Sequence, residues 1–465
     1  MLLYPVTVRY SPELPANGIK LPADMSPKFS TGKPVNLCFG KRKVSLTITG
    51  FHQPASSRCL SLSEKAGEIL LLPTHVKSNL LFDRDRGCLR LGPLIGIFAN
   101  RLCKTTKPFG EQTSFFCSLK SKAVEANSFV FAFSPSDINW QNETITAWIP
   151  PPTHCTKVPW ETLTLPFPDS IYDRGLFPKG EKRRAAAKAR KILRNYPDVK
   201  LFNPAFFGKW KTHKLLSKHE LLFPHLPDTQ LYYSMTDIHD MLKKHETVYL
   251  KPSGGSSGRG IIRVTANNTG YDVDLRVAKQ VMTLRNLKRN DLETHLKPLL
   301  EGRRYIVQQG LNLARINSCP FDIRLLMQRD RQGIWKRTGM AVRIASPGSY
   351  ISNIHAGGRA EQITTVLPKA LPDLRTSAKT IRDIRRLSSL IASLITNEGN
   401  PLFGEVAIDL GVDVSGKVWI IELNAIPGRS VFRRIKAKEA LARAISRPME
   451  YASFIAGFGT RSNPK

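Results

Sequence analysis

Three textures of hydrophobic and polar residues follow one another along the chain. From residue 1 to about 88, short β-branched runs (YPVTVRY, VNLCFG and KVSLTITG) alternate with Pro, Gly and Ser. Runs of this kind bounded by turn residues predict strands, so 1–88 reads as a small β-rich N-terminal domain. At LGPLIGIFAN, residues 91–100, the texture changes. An apolar strand is followed by helical spacing around 112–126 and then by a second apolar run, SFVFAFSP, at 128–135. Strand, helix, strand in that order implies a βαβ unit with parallel strands, and 89–200 reads as an α/β domain. The segment IPPPTHCTKVPW, 149–160, holds too much proline for the interior of an element and marks a connection. KGEKRRAAAKARKILR, 179–194, predicts a basic helix, because Ala, Lys, Arg and Leu all favour helix. Its plain reading is a solvated helix face.

The third region runs from Leu201 to residue 465. Its pattern predicts a helix at 209–222, a glycine loop at 253–260 and helical segments through 275–300. Strands are expected at 304–309, 321–330 and 334–345, a long helix at 377–398, and a closing pair of strands at 404–411 and 417–424. No internal repeat or low-complexity tract interrupts it. A chain of 465 residues accommodates about three domains at the usual ~150 residues each.

Composition narrows the class. The hydrophobic fraction of 41% is that of a protein with a real core, and no run approaches the ~20 apolar residues of a membrane span. The opening MLLYPVTVRY lacks the basic-then-apolar layout of a secretory signal, which points to a protein inside a cell. The net charge of +33 attracts polyanions, yet Lys and Arg are spread over most of the chain. The densest basic cluster has no interleaved aromatics, so a base-stacking platform is poorly supported and a nucleic-acid partner is not expected. The seven cysteines (Cys38, Cys59, Cys88, Cys103, Cys117, Cys155 and Cys319) form no C-x-x-C pair and no zinc spacing. Reduced, mostly buried thiols are expected.

Candidate chemistry begins at VYLKPSGGSSGRGIIRV, 248–264. A strand reaches Lys251, breaks into a Gly/Ser loop and resumes as strand. Backbone N–H groups in such a loop can point at phosphate oxygens without obstruction, although many glycine loops hold no ligand. A P-loop would end in Gly-Lys-Ser/Thr, whereas this one ends Arg259-Gly260-Ile261. A dinucleotide-binding loop would open a helix, and a kinase lysine would follow the loop rather than precede it. What is left is a lysine placed to reach a phosphate under a flexible cover.

A second feature lies in EVAIDLGVDVSGKVWIIELNAIPG, 405–428. Ser415-Gly416 is a turn signal between two strand-like runs. A hairpin centred there sets Asp409 opposite Glu422 across the ladder. Glu422 and Asn424 share a face by period two. Two carboxylates and an amide oxygen converging in this way suit a hard cation such as Mg²⁺ bridging phosphates. The plainer reading pairs these carboxylates with Lys or Arg, but Glu422 follows VWII and would be costly to bury without a cation or partners.

With these residues in view, the chain resembles an ATP-grasp enzyme, and over nearly its full length the YheC/YheD family of endospore coat-associated proteins. The resemblance implies an α/β (α+β) ATP-grasp fold preceded by an α/β domain and a small β-rich domain, with ATP and Mg²⁺ as cofactors. IELNAIPG is similar to the metal motif, giving Asp409, Glu422 and Asn424 as ligands. YLKPSGGSSGRGI resembles the lysine strand and phosphate-covering loop, giving Lys251 with Ser253, Gly254, Gly255, Ser256, Ser257 and Gly258. FFGKWKTHKLLSKHELLFPHLPDT, 206–229, resembles the helix whose lysine also reaches ATP, and Lys209 fits it best. YIVQQGLNL, 305–313, is similar to the hinge between the two nucleotide-gripping subdomains. Gln308 stands where many relatives have a Glu that reads the adenine amino group, with backbone groups of Gln309 and Leu311 nearby. PFDIRLLMQRD resembles the D-I-R strand of the branch that contains glutathione-synthetase-like ligases, giving Asp322 towards the ribose and Arg324 towards phosphate or substrate. VRIASPGSYISNIHAGG, 342–358, is similar to the same branch's Arg and Asn-x-His-x-Gly-Gly. It gives Arg343 for the transferring phosphoryl group and Asn353 near the triphosphate.

Plainer readings stand beside these. Arg324 and Arg343 also suit structural ion pairs, His355 a hydrogen-bonding neighbour, and Trp210 core packing. The resemblance implies a carboxylate–amine ligase working through an acyl phosphate, with unidentified carboxylate and amine substrates. The alternative is a spore-coat-associated structural protein that retains ATP binding, and a third reading is a polyanion binder using the +33 charge. The implied location is cytoplasmic or spore-associated, in the mother cell or the coat, with spore coat components as partners.

Overall fold

The computed structural model describes residues 2–53, 58–102, 106–151, 157–204, 208–254, 260–277, 280–346, 358–397 and 402–459. Strands Leu3–Tyr10, Gly18–Leu21, Pro34–Phe39, Arg42–Phe51, Cys59–Leu62, Lys77–Asp83 and Cys88–Gly92, here β1 to β7, close into a barrel in the order β1-β5-β2-β4-β3-β7-β6. Period-two alternation fills it: Tyr4, Val6 and Val8 of β1 and Val35, Leu37 and Phe39 of β3 are buried. Helix α1 (Glu64–Leu70) is capped by Ser63, whose side chain accepts from Ala66 N. The chain passes from barrel to the next sheet at Gly92–Pro93, within the change of texture at 91–100 and a few residues beyond the domain end expected at about 88.

The second sheet contains β8 (Leu94–Phe98), β9 (Phe129–Phe133), β10 (Ile138–Asn139), β11 (Thr144–Ile149), β12 (Glu161–Pro166), β13 (Ser170–Asp173) and β14 (Lys200–Phe202). Its order is β10-β11-β9-β8-β13-β14, with β12 against β11. Helix α2 (Thr113–Glu125) joins β8 to β9, which are parallel, as the strand–helix–strand pattern implies. Helix α3 (Glu181–Asn195) is the expected basic helix. It buries Ala186, Ala189 and Leu193 and leaves most of its Lys and Arg exposed. β14 begins at Lys200 and pairs in parallel with β13, so residues expected to open the third region complete the second sheet instead.

Two further sheets follow. Helix α4 (Lys209–Leu216) leads to β15 (Thr229–Leu231), α5 (Met235–Lys244), β16 (Thr247–Pro252), β17 (Ile262–Asn267), β18 (Gly270–Val277), β19 (Gln280–Leu287), α6 (Arg289–Leu300) and β20 (Tyr305–Gln309). The six strands run β15-β20-β16-β17-β18-β19. Val248, Leu250, Ile262, Val264, Val273 and Leu275 pack with α5 and α6 residues such as Ile238, Leu292 and Leu296 on one face. Alternation therefore sends Tyr249, Lys251 and Gln308 to the other face.

The last sheet holds β21 (Arg315–Ile316), β22 (Cys319–Arg329), β23 (Trp335–Ile344), β24 (Arg359–Glu361), β25 (Glu405–Val412) and β26 (Val418–Asn424), ordered β24-β23-β22-β25-β26 with β21 on β22. Helices α7 (Ile363–Ala370) and α8 (Leu374–Asn397) cover one face through Ile323, Leu325, Val342, Ile408 and Leu410. Helices α9 (Ser430–Arg434) and α10 (Lys438–Ser453) cover part of the other through Leu326 and Ala341. The uncovered part of that face carries Asp322, Arg324, Arg343 and Asp409.

Three expectations are corrected. Gly270–Val277 and Gln280–Leu287 pair as the antiparallel strands β18 and β19, and among the described residues of the 275–300 span helix is confined to α6. Val273 and Leu275 turn into the core while Asp272 and Asp274 face away, a period of two that the helix-favouring Leu and Arg content obscures. The helix expected at 209–222 stops at Leu216, and a 3₁₀ turn follows at Phe223–His225. Cys38, Cys59, Cys88 and Cys319 are free thiols, but Cys117 is disulfide-bonded rather than reduced. Among the described residues no helix is long and apolar enough to cross a membrane.

Candidate functional site

Asp409 and Glu422 are cross-strand partners in the β25–β26 ladder. Nearer the turn the register differs by one: Leu410 pairs with Ile420, Gly411 with Trp419 and Val412 with Val418. The turn is thus centred on Ser415, not between Ser415 and Gly416, and a bulge at Ile421 restores the expected register at the carboxylates. Asp413 fixes the turn by accepting from the backbone N–H groups of Ser415 and Lys417 at 2.9 and 3.0 Å.

The same ladder logic extends inward. Arg324 of β22 lies opposite Asp409, and Asp322 lies opposite Arg343 of β23. Arg324 Nε and Nη2 donate to the two oxygens of Asp409 at 2.5 and 3.0 Å. Arg343 donates through Nε and Nη2 to both oxygens of Asp322 at 2.5 and 2.7 Å, and its Nη2 also reaches Asp409 Oδ2 at 3.0 Å. Four side chains of alternating charge thus form one buried row. Burial pushes the Asp409 carboxyl up, but Arg324 and Arg343 outweigh it and hold it below the usual carboxylate range. Burial also disfavours the Arg343 cation, and Asp409 and Asp322 more than offset that.

A second group stands across the cleft. Lys209, the first residue of α4, has Nζ 3.6 Å from Glu422 Oε1, and its backbone N–H donates to the Ser253 carbonyl at 3.1 Å. Lys251 Nζ donates to Gln308 Oε1 at 2.6 Å, and Gln308 Nε2 donates to Thr229 Oγ1 at 2.9 Å. The Gln308 amide is thereby held at both ends. Lys251 is pushed down to about 8, first by burial and then by Lys209, with Glu422 opposing. The Gln309 N–H is already engaged by the Asp228 carbonyl at 2.8 Å, and the Leu311 carbonyl accepts from Leu313 N–H at 3.0 Å. A cleft between α4, β20 and β26 has an apolar lining of Leu216, Leu226, Ile306 and Ile420, with Lys209, Gln308 and Glu422 at its polar side. His213 lines it too, stacked on Trp210 with ring centroids 5.6 Å apart. Trp210 is therefore half-buried beside the cleft rather than in a core.

Asn424 Nδ2 lies 3.4 Å from Asp409 Oδ2, which brings the third expected ligand to the carboxylates. Gly254 is exposed at the start of the glycine loop. Gly255, Ser256, Ser257, Gly258, Asn353 and His355 lie outside the described residues.

The donor set fits Mg²⁺ in kind. No group of three or more His, Cys, Asp or Glu converges among the described residues, so the set is two carboxylates and an amide. Mg²⁺ is commonly held by one or two carboxylates with phosphate oxygens completing its shell. Asp409 Oδ1 takes one hydrogen bond, from Arg324 Nε, and retains a lone pair.

One cluster escapes the sequence reading. Glu405, fully buried on β25, accepts from Tyr172 Oη, from Gln328 Nε2 at 2.8 Å and from Arg429 Nη2 at 2.5 Å, with Arg174 Nη1 at 3.4 Å. Phe115 lies against both guanidiniums, 5.2 Å from Arg174 and 4.1 Å from Arg429. The available signal is a Glu within the apolar run of β25, four residues before Asp409, which must find buried cations elsewhere in the chain.

A family model described as YheC/D-like ATP-grasp matches residues 198–455. The endospore coat-associated protein YheD of Bacillus subtilis (strain 168) is 29% identical over 401 residues, covering 85% of each chain. YheC of the same organism is 24% identical over 331 residues, covering 70% of this chain and 88% of its own. Among solved structures, the ATP-grasp ligase PsnB, complexed with a phosphomimetic variant of minimal precursor, Mg and ADP, aligns with a TM-score of 0.45 at 12% identity. That alignment covers 77% of this chain and 99% of PsnB.

Proposed function

Because the chain belongs to the YheC/D-like ATP-grasp family, we propose that it is an ATP- and Mg²⁺-dependent carboxylate–amine ligase acting through an acyl phosphate. The observation that carries this reading is the cross-strand Asp409–Glu422 pair, with Lys209 and Lys251 beside Glu422 and Arg324 and Arg343 on Asp409. Four cations against three carboxylates, counting Asp322, leave a net positive surround suited to a polyphosphate held with a divalent ion.

Asp409, Glu422 and Asn424 would hold Mg²⁺. When bound, the ion supplies charge neutralisation at the phosphates. The apolar lining at Leu226, Ile306 and Ile420 suits the flat base, with Gln308 as a polar contact. Lys251 and Lys209 offset negative charge along the phosphates, and Arg343 and Arg324 stabilise charge on the phosphoryl group in flight. In the first step a substrate carboxylate oxygen bonds to the γ-phosphorus and the bond to ADP breaks. In the second, the amine bonds to the acyl carbon, phosphate departs and the amine proton passes to solvent. The loop after Lys251 would serve as a cover that keeps water from the acyl phosphate. Spore association is proposed from the names of the Bacillus subtilis relatives alone.

The test incubates the purified protein with Mg-ATP and a small-molecule extract of sporulating cells, following ADP and new masses, with Glu422→Gln alongside. ADP together with a condensed product, both absent in the variant, supports the ligase. Tight ATP binding with no ADP in any extract or added coat peptide overturns it in favour of a coat-associated ATP-binding protein.

A further inference from the structure

β26 is the edge strand of its sheet, with β25 as its only strand neighbour among the described residues. Asn424, its last residue, is paired to Ala407. A residue at the end of an edge strand has ladder support from one side, so its position depends on the chain that follows. That chain, Ala425 to Arg429, is buried at Ala425, Pro427 and Arg429.

Residues remote in sequence hold its carbonyl groups. Asn203 Nδ2 donates to Ala425 O at 2.8 Å. Pro427 O accepts from Arg429 Nη1 at 3.0 Å and from Arg174 Nη1 at 3.3 Å. Arg174 is 5% exposed and comes from the end of β13, outside the 198–455 segment. Its guanidinium is fixed in turn: Nε donates to Gln112 Oε1 at 3.1 Å, and Gln112 Nε2 returns a bond to the Arg174 carbonyl at 3.1 Å. The second sheet thus reaches across to the backbone three residues beyond Asn424.

We infer that Arg174 is a positioning residue for the divalent cation. By fixing Pro427 it places Asn424, and so sets cation affinity in the nucleotide complex without touching cation or nucleotide. The inference rests on the proposed reading of Asp409, Glu422 and Asn424 as the metal set. Tyr172 separates it from simple neutralisation of Glu405: its hydroxyl donates to Glu405 Oε1 and accepts from Arg429 Nη2 at 3.2 Å, but unlike Arg174 it bonds to no carbonyl of the exit segment.

The full-length protein is saturated with β,γ-methylene-ATP and titrated with Mn²⁺, free Mn²⁺ being read by electron paramagnetic resonance. Arg174→Met removes the donor and keeps the stem, Arg174→Lys restores a donor, and Tyr172→Phe is the control. The expected result is Mn²⁺ binding weaker by about tenfold in R174M, an intermediate loss in R174K and a change within about twofold in Y172F, with analogue affinity in EDTA unchanged throughout. Wild-type Mn²⁺ affinity in R174M overturns the inference, as does an equal loss in Y172F or an equal loss of analogue affinity in EDTA. If R174M does not fold, R174K decides by the same criteria. Glu422→Gln marks the other failure: if it leaves Mn²⁺ affinity intact, the metal reading itself is wrong.

Discussion

Asp409 sits directly opposite Glu422, yet the two carboxylates live in different surroundings. Asp409 is 8% exposed and grips two guanidiniums, whereas Glu422 is 27% exposed and meets one lysine at 3.6 Å. Their substitutions should therefore fail in different ways. Glu422→Gln is expected to weaken Mg²⁺-dependent nucleotide binding by about tenfold or more and leave the thermal midpoint unchanged. Calorimetric titration with and without Mg²⁺, beside a melting curve, checks both.

Asp409→Asn is expected to destabilise the fold by roughly 3 kcal/mol, because Arg324 and Arg343 would face a neutral amide in a buried row. Urea denaturation measures it. The depressed Asp409 pKa gives the sign with pH: its contribution is in place above the unfolded carboxylate value of ~3.9 and is lost as pH falls through the folded value. The difference between wild type and D409N should shrink in acid.

Lys251 gives a dependence of the same sign at higher pH. Its folded value of about 8 lies below the unfolded ~10.4, so between them the unfolded chain carries more protons and stability rises with pH. On the proposed reading, nucleotide binding favours the ammonium. Affinity for ATP should fall as pH rises past about 8, with proton uptake on binding, measurable by calorimetry in buffers of different ionisation enthalpy. Gln308→Glu places a charge 2.6 Å away, where the neutral amide oxygen now accepts from Lys251, and should abolish the effect below pH 9.

Asn203 is 1% exposed, has φ of 56°, and bonds to Glu405 O, Ala425 O, Gly404 N and Glu405 N. Asn203→Ala strands four buried backbone groups and should cost at least about 3 kcal/mol. By contrast, reversing Lys188 and Lys191 on the exposed face of α3 should change stability by less than ~0.5 kcal/mol and leave ATP binding alone. Denaturant midpoints of the two variants test that contrast.

What the sequence discloses follows from the range of each interaction. Asp409 opposite Glu422 is legible because a turn and period-two alternation are local, and the bulge at Ile421 compensates a small error in the turn centre. Lys251 and Lys209 are legible from the motifs around them. The β18–β19 hairpin is not, since Leu, Arg and Thr serve helix and strand alike until tertiary packing selects one. Nor are the partners of Asp322 and Glu405, because the arginines that meet them come from a neighbouring strand, from the segment after β26 and, for Arg174, from 231 residues away. Charge in an apolar run announces that a partner exists and cannot name it.

β14 is shared property. It pairs with β13 in the second sheet, and its Phe202 bridges to Leu402 beside the last one. The boundary suggested by composition, at Leu201, runs through the middle of this strand. A chain begun there would carry the proposed nucleotide cleft but leave a sheet behind. Swapping the C-terminal half between relatives should succeed only when the second sheet, from Leu94 onward, travels with it. The unit of inheritance is therefore larger than the unit of chemistry.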